Sequence, residues 1–202
     1  MSTLVGTAMC GTLEELKQFY QPGMSRAEFR PAASLLSMAL ADNDAVNRAA
    51  KAMFLLDEGS DPKWYDTRSG MNLLHILVGQ VRGNVTVPDS DLVLLRRLLA
   101  GGASVNGLHR KYGTPVQLMR ERSGTYSEGS IGPVYDVLFS QPDLDVFLVG
   151  SFRHSIYQQA LKDKDMLPVL WSHVERYVRD HGLLVPVDQQ GVVAGGVSAR
   201  RR

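Results

Sequence analysis

Residues 72–79 read NLLHILVG, and the same order of residue types returns at three other places along this chain of 202 residues. The other copies are SLLSMALA at 34–41, TPVQLMRE at 114–121 and SIYQQALK at 155–162, so the motif recurs about every 40 residues. Apolar residues within each copy are spaced three or four apart, which predicts a short helix with one buried face. Because a helix this short cannot bury its apolar face alone, the repetition predicts stacked helix pairs.

The residues that flank the motif set where helices begin and end. Each copy starts with Ser, Asn or Thr, whose side chain can accept a hydrogen bond from a free backbone N–H at a helix start. A second motif, LLDEGSDP at 55–62 and LLAGGASV at 98–105, places glycine where a helix ends in the left-handed conformation. These residue types specify the geometry of the chain and carry no chemistry of their own.

This pattern resembles the ankyrin repeat, which runs G-x-T-P-L-H-x-A, then helix-turn-helix, then L-L-x-x-G-A-D-V-N. The resemblance rests on Gly70, Asn72, Leu74 and His75 in one unit and on Gly113, Thr114 and Pro115 in the next. It implies an all-α fold: an ankyrin-like helical repeat solenoid of about four to five helix pairs with short hairpin loops, spanning residues 1–188. Another helical solenoid or an irregular bundle is the alternative fold.

Further helix boundaries follow from local signals. Thr12 with Glu15 has capping-box spacing and predicts a helix start, and Ser25 with Glu28 repeats the signal. Ser90 or Asp91 is expected to cap a helix that ends at Gly101. A long last helix is expected over 167–181, with a proline in its first turn and a glycine after its end. Residues 189–202, Gly-rich and ending in three arginines, are expected to form a disordered tail.

Composition limits the classes of protein that the chain can belong to. Lys and Arg total 22 against 21 Asp and Glu, a formal net charge of +1 that argues against a dedicated nucleic-acid binder. The single cysteine, Cys10, cannot close an intramolecular disulfide and is expected to be a small core residue. Neither a secretion signal nor an apolar run of about 18 residues is present, so we expect a cytoplasmic protein without a membrane partner.

No catalytic or metal-binding pattern emerges from the sequence. Phosphate-binding glycine motifs and HExxH are missing, and no two of the five histidines are four residues apart. The Asp-x-Asp pairs at 42–44, 143–145 and 163–165 lack a third ligand at calcium-loop spacing, so we interpret them as helix caps. His75 occupies the repeat's own histidine position and is expected to be a hydrogen-bonded structural residue. We therefore expect no enzyme activity, metal or cofactor.

If helix pairs stack, the hairpin loops and the first helix of each pair line the surface that meets a partner. The segments 60–70, 103–113 and 141–154 are rich in aromatic and basic residues, the types that dominate binding hot spots. The predicted partner-binding residues are Trp64, Tyr65, Arg68, His109, Arg110, Lys111, Tyr112, Phe152 and Arg153.

The sequence thus predicts a non-enzymatic protein-protein interaction module, monomeric when free. One specific form is an immunity protein, an inhibitor that binds and neutralises a partner toxin or enzyme. An intracellular scaffold or a host-directed ankyrin effector is the alternative. The competing hypothesis from another class is a small hydrolase on an irregular helical fold, using an Asp pair or His75.

Overall fold

The computed structural model of the chain describes residues 3–26, 28–30, 33–81, 86–123, 128–150 and 153–186. The regular secondary structure of these residues is almost all helix, which confirms the all-α prediction. The helices are α1 Leu4–Cys10, α2 Leu13–Phe19, α3 Leu35–Leu40, α4 Ala45–Asp57, α5 Leu73–Gln80, α6 Asp89–Ala100, α7 Pro115–Ser123, α8 Glu128–Phe139, α9 Ile156–Lys162 and α10 Pro168–Asp180. Two short antiparallel strands, β1 Glu28–Arg30 and β2 Ala33–Ser34, precede α3.

The four copies of the repeated motif all start helices in the same way. Ser34, Asn72 and Ser155 each accept a hydrogen bond from the backbone N–H three residues on, and the residue there bonds back, so each forms a capping box. Thr114 does the same with Gln117: the hydroxyl accepts from the Gln117 N–H, and the Gln117 side chain accepts from the Thr114 N–H. The predicted helix starts are therefore confirmed at every copy.

Two compact units divide the chain. The first comprises Met1–Val81 with Pro88–Ser104, and the second comprises Arg82–Val87 with Val105–Arg202. The predicted boundary between a repeat domain and a tail at residue 188 stays a prediction, because residues 187–202 lie outside those described.

In the first unit, three helix pairs contact one another in chain order. The pairs are α1 with α2, α3 with α4, and α5 with α6; α3 lies against α1 and α5, and α4 lies against α2 and α6. Leu35, Leu36, Leu73 and Leu74 are completely buried between these layers. Burial of each such side chain favours the folded state by about 1.5–3 kcal/mol.

The second unit contains two further pairs, α7 with α8 and α9 with α10, and α8 packs against α10. Val116 and Met119 on α7 and Leu138 on α8 are buried, as is Leu170 on α10. The predicted long last helix is confirmed, with Pro168 at its first position and a left-handed glycine, Gly182, after its end. Residues 82–85, between α5 and α6, and residues 124–127, between α7 and α8, lie outside the described residues.

Three local predictions are wrong, two of them because a tertiary contact takes the side chain. Ser25 starts no α-helix: it lies in a single 3₁₀ turn and its hydroxyl donates to the Glu58 carbonyl oxygen at 2.7 Å. Asp91 does not cap α6, which begins after Pro88 without a side-chain cap, because Asp91 points inward to an arginine. Cys10 is exposed, since the buried face of α1 carries Thr7 and Ala8 instead.

No helix within the described ranges is long and apolar enough to cross a membrane.

Candidate partner-binding surface

Short hairpins precede α5, α7 and α9, and each is closed by a backbone bridge. The bridges pair Tyr65 with Asn72, His109 with Gly113, and Val149 with Ser155. Each hairpin ends at the capping residue of the helix that follows it or, at Gly113, one residue before it, which fixes the loop to the start of that helix. A loop held at both ends loses little further entropy on binding, which favours its use as a contact surface.

The hairpin of the first unit presents Tyr65 and Arg68. The Tyr65 ring is 56% exposed and Arg68 is exposed, whereas Trp64 is half-buried. Asp66 folds the turn between them: its carboxylate accepts hydrogen bonds from the Ser69 hydroxyl at 2.6 Å and from the Arg68 N–H at 2.8 Å. These bonds, with the Ser69 bond the larger cause, lower the pKa of Asp66. The carboxylate joins the two sides of the turn through these hydrogen bonds.

His109 organises the hairpin of residues 109–113 from beneath. Its Nδ1 accepts hydrogen bonds from the backbone N–H groups of Lys111 and Tyr112, both at 3.0 Å. An Nδ1 that accepts must be unprotonated, so the ring proton lies on Nε2. His109 is 7% exposed, so it supports the hairpin and offers a partner little surface.

The Tyr112 ring is stacked on His109, with ring centroids 4.7 Å apart and planes 17° from parallel. The Lys111 ammonium lies 5.2 Å from the centre of the same ring, within cation–π range. Arg110, which lies between His109 and Lys111 in the sequence, is exposed. The hairpin thus presents an ordered aromatic ring beside two cations.

The hairpin of residues 149–155 lies directly against this one. A Cβ atom added to Gly150 would come within 3.0 Å of the Gly113 Cα, so the two backbones are in close contact there. Gln117 joins them, because its side chain accepts from the Thr114 N–H and donates to the His154 carbonyl oxygen at 2.8 Å. Arg153, next to His154, is exposed. Arg110, Lys111, Tyr112 and Arg153 therefore lie on two adjoining hairpins, and we call these four residues the tip cluster.

Arg153 has an unfavourable backbone conformation. Its φ is +57°, and no other non-glycine residue in the described part of the chain has a positive φ. Gly70, with φ +78°, lies two residues before the capping Asn72, just as Arg153 lies two residues before the capping Ser155. An L-residue in this region costs on the order of 1 kcal/mol that glycine does not. Strain of this kind tends to occur at functional sites.

The cations of the tip cluster have no acidic partner among the described residues. The described ion pairs include none made by Arg110, Lys111 or Arg153. The carboxylate of Asp145, which precedes the second hairpin, accepts a hydrogen bond from the Phe147 N–H instead. The surface of the tip cluster is positive for this reason.

Two polar clusters in the structure went unnoticed in the sequence. In the first unit, Arg48 on α4 pairs with Asp91 on α6, and Lys51 pairs with Asp42 at 2.6 Å; all four side chains are buried. In the second unit, His173 on α10 bonds Asp136 on α8 at 2.9 Å, beside an open groove of about 210 Å³. Arg48 is 43 residues from Asp91 and His173 is 37 residues from Asp136, so local spacing does not reveal these two pairings.

Lys51 illustrates how the buried charges are satisfied. Its ammonium donates to the carbonyl oxygens of Thr7 and Gly11, at 3.2 and 2.7 Å, and to the Asp42 carboxylate. The three N–H groups of the ammonium thus have three acceptors, two of which are backbone carbonyl oxygens at the C-terminal end of α1. Lys51 is therefore a structural cation. No group of three or more His, Cys, Asp or Glu side chains in the described ranges is arranged to hold a metal ion.

The burial and hydrogen bonds of the remaining residues from the sequence analysis are as follows. Asp44 caps α4, as expected of the Asp-x-Asp pair at 42–44, and Phe147 is buried. His75 is 1% exposed and hydrogen-bonds the Asn72 side chain, as expected of a structural histidine. Phe152 lies outside the described residues. The partner-binding assignment itself stays a prediction.

Comparison with known proteins gives similarity of fold only. No family model and no curated protein matches the chain. A crystal structure of a functionally unknown protein from Leptotrichia buccalis C-1013-b has a similar fold, with a TM-score of 0.67 and 23% sequence identity. The similarity covers 90% of this chain and 96% of that one. The two proteins therefore share a helical fold, and this similarity assigns no activity to either of them.

Proposed function

We propose that the protein is a non-enzymatic, ankyrin-like binding module that grips another protein through its hairpin loops. The observation that carries this proposal is the set of basic side chains and exposed or half-buried aromatic rings on bridged hairpins. Tyr, Trp and Arg dominate binding hot spots because they bury large rigid areas while retaining a polar group. The successive contacts of α1, α3 and α5 support a repeat arrangement.

The specific form that we propose is an inhibitor of the immunity-protein type, acting in the cytoplasm by covering its partner's working surface. A scaffold or a host-directed effector would use the same hairpins, and the identity of the partner distinguishes them. The hydrolase hypothesis has less support, because His75 and Asp42 are buried and engaged in structural bonds.

Affinity capture from native lysate with mass spectrometry, followed by variants measured on the captured complex, tests the proposal. Trp64→Ala and Arg110→Ala are each expected to weaken binding about tenfold or more, as hot-spot truncations do. Val93→Ala and Arg96→Ala remove exposed side chains from α6 and serve as matched controls that should bind normally.

An inhibitory interface should bury at least about 1,000 Å² in total, so an affinity measurable by titration calorimetry is expected. Normal binding by both Trp64→Ala and Arg110→Ala would contradict the hairpin assignment. Chemical turnover of a substrate by the purified protein would contradict the non-enzymatic proposal.

A further inference from the structure

We propose that the tip cluster binds an acidic segment of the partner protein, and that Arg153 is kept in its strained conformation to present a guanidinium there. This inference rests on the proposed protein-binding function and adds the chemistry of the partner. It depends on three features of the second unit: the strained arginine, the unpaired cations and the supported tyrosine.

The choice of residue at position 153 is the first argument. The equivalent turn of the first unit uses Gly70, so glycine fits this hairpin without strain. Arg153 has no ion pair with a described carboxylate that would offset the unfavourable conformation. Its N–H donates to the Gly150 carbonyl oxygen, a bond that a glycine would also make. The side chain therefore contributes little to the fold, which favours a role in binding.

The charge of the surface is the second argument. Arg110, Lys111 and Arg153 bring three positive charges onto two adjoining hairpins of a chain whose formal net charge is only +1. Guanidinium groups bind carboxylates through paired, charge-assisted hydrogen bonds. The Tyr112 ring adds an apolar surface of fixed orientation, because it is stacked on the buried His109.

A protein carboxylate segment fits this cluster better than a nucleic acid. Three cations would neutralise about three phosphates, too few for the extended contact that nucleic-acid binding proteins make. Leu108, 43% exposed beside the hairpin, adds apolar surface of the kind that contacts protein side chains. The occupant is thus an acidic peptide segment that carries apolar or aromatic residues between its carboxylates.

Fluorescence anisotropy with three labelled probes tests this on the full chain. The probes are a peptide of alternating Asp, Glu and Leu residues, the same peptide with Asn and Gln in place of the acids, and an oligothymidylate of matched length. The acidic peptide is expected to bind about tenfold or more tightly than the amide peptide, and binding should weaken between about 50 and 200 mM salt. Equal binding of both peptides, or tighter binding of the oligothymidylate, would overturn the proposal.

Two substitutions of Arg153 distinguish a role of its charge in binding from a role of its side chain in stabilising the fold. Arg153→Gln keeps a side chain in the strained conformation, and Arg153→Gly removes the strain as well. Both are expected to weaken binding of the acidic peptide about threefold to tenfold. Arg153→Gly should also raise the melting temperature by about 2–4 °C. Lys164→Ala, which removes another exposed cation of the same unit, is the control and should bind normally.

A lower melting temperature of Arg153→Gly would show that the arginine is structural and would overturn its role in binding. Unchanged peptide affinity in both Arg153 variants would do so as well. These failures differ from failure of the proposed function, because the captured complex and its dependence on Trp64 and Arg110 are measured without the peptide probes.

Discussion

Burial makes the hydroxyl of Tyr157, at the start of α9, harder to ionise. The side chain is 9% exposed, and its removal from water, aided by the nearby Glu175 carboxylate, raises the pKa of its hydroxyl above 10.0. The folded state therefore favours the neutral phenol more than the unfolded chain does. Its contribution to stability is complete below pH 10 and is lost as the pH rises through the pKa of the folded state.

We expect Tyr157→Phe to unfold less readily than the wild type in alkaline solution. A phenyl ring cannot ionise, so the variant lacks this source of alkaline destabilisation while the apolar packing against Trp171 is kept. Chemical denaturation followed from about pH 8 to pH 11 measures the difference. Tyr65→Phe, at an exposed ring, is the control. Parallel pH curves for Tyr157→Phe and the wild type would contradict the expectation.

At the scale of helices, two ion pairs join α4 and α6, one of them buried and the other exposed to water. Arg48 and Asp91 are both buried, whereas Arg97 and Asp57 on the same two helices are each at least half exposed. An exposed pair contributes about 0–1 kcal/mol, because water screens it. Loss of one partner from a buried pair is far more costly, since the other charge is left without compensation.

Arg48→Met is therefore expected to lower the free energy of unfolding by about 3–5 kcal/mol, and Arg97→Met by less than about 1 kcal/mol. The double substitution Arg48→Met with Asp91→Leu should recover most of the loss, because two apolar side chains replace the pair. Denaturant titration of the three variants measures these values. Similar losses for Arg48→Met and Arg97→Met would contradict the structural contrast between the pairs.

At the scale of the whole molecule, the second unit holds two successive hairpins in close contact. A Cβ atom on Gly150 would come within 2.2 Å of the Gln117 Oε1 atom, which is bonded to the Thr114 N–H. Gly132, within α8, has room for a methyl group, since its nearest neighbour atom would be 3.9 Å away. The two glycines thus offer a matched pair for testing how tightly the repeats pack.

Gly150→Ala is expected to destabilise the protein by about 1–3 kcal/mol, because the two hairpins must separate to admit the methyl group. Gly132→Ala should leave stability unchanged or raise it by about 0.5–1 kcal/mol, since alanine favours the helix. Thermal unfolding followed by circular dichroism compares the two variants. Equal stability of both would show that the hairpins tolerate a wider spacing.

The sequence by itself determined the helical class, the four helix starts at the repeated motif, the last helix and the structural role of His75. These features depend on residues three or four apart, whose hydrogen bonds form within one turn of helix. It also placed the candidate contact residues on hairpins.

Only the tertiary structure decided the rest. It turned Asp91 inward to Arg48, directed Ser25 to Glu58, exposed Cys10, buried His109 beneath its own hairpin and brought the hairpin that carries Arg153 against the one that carries Arg110. Arg48 and Asp91 are 43 residues apart, so local spacing carries no signal of their pairing. Such contacts form when packing removes polar groups from water and each buried charge or donor requires a partner, wherever in the chain it lies.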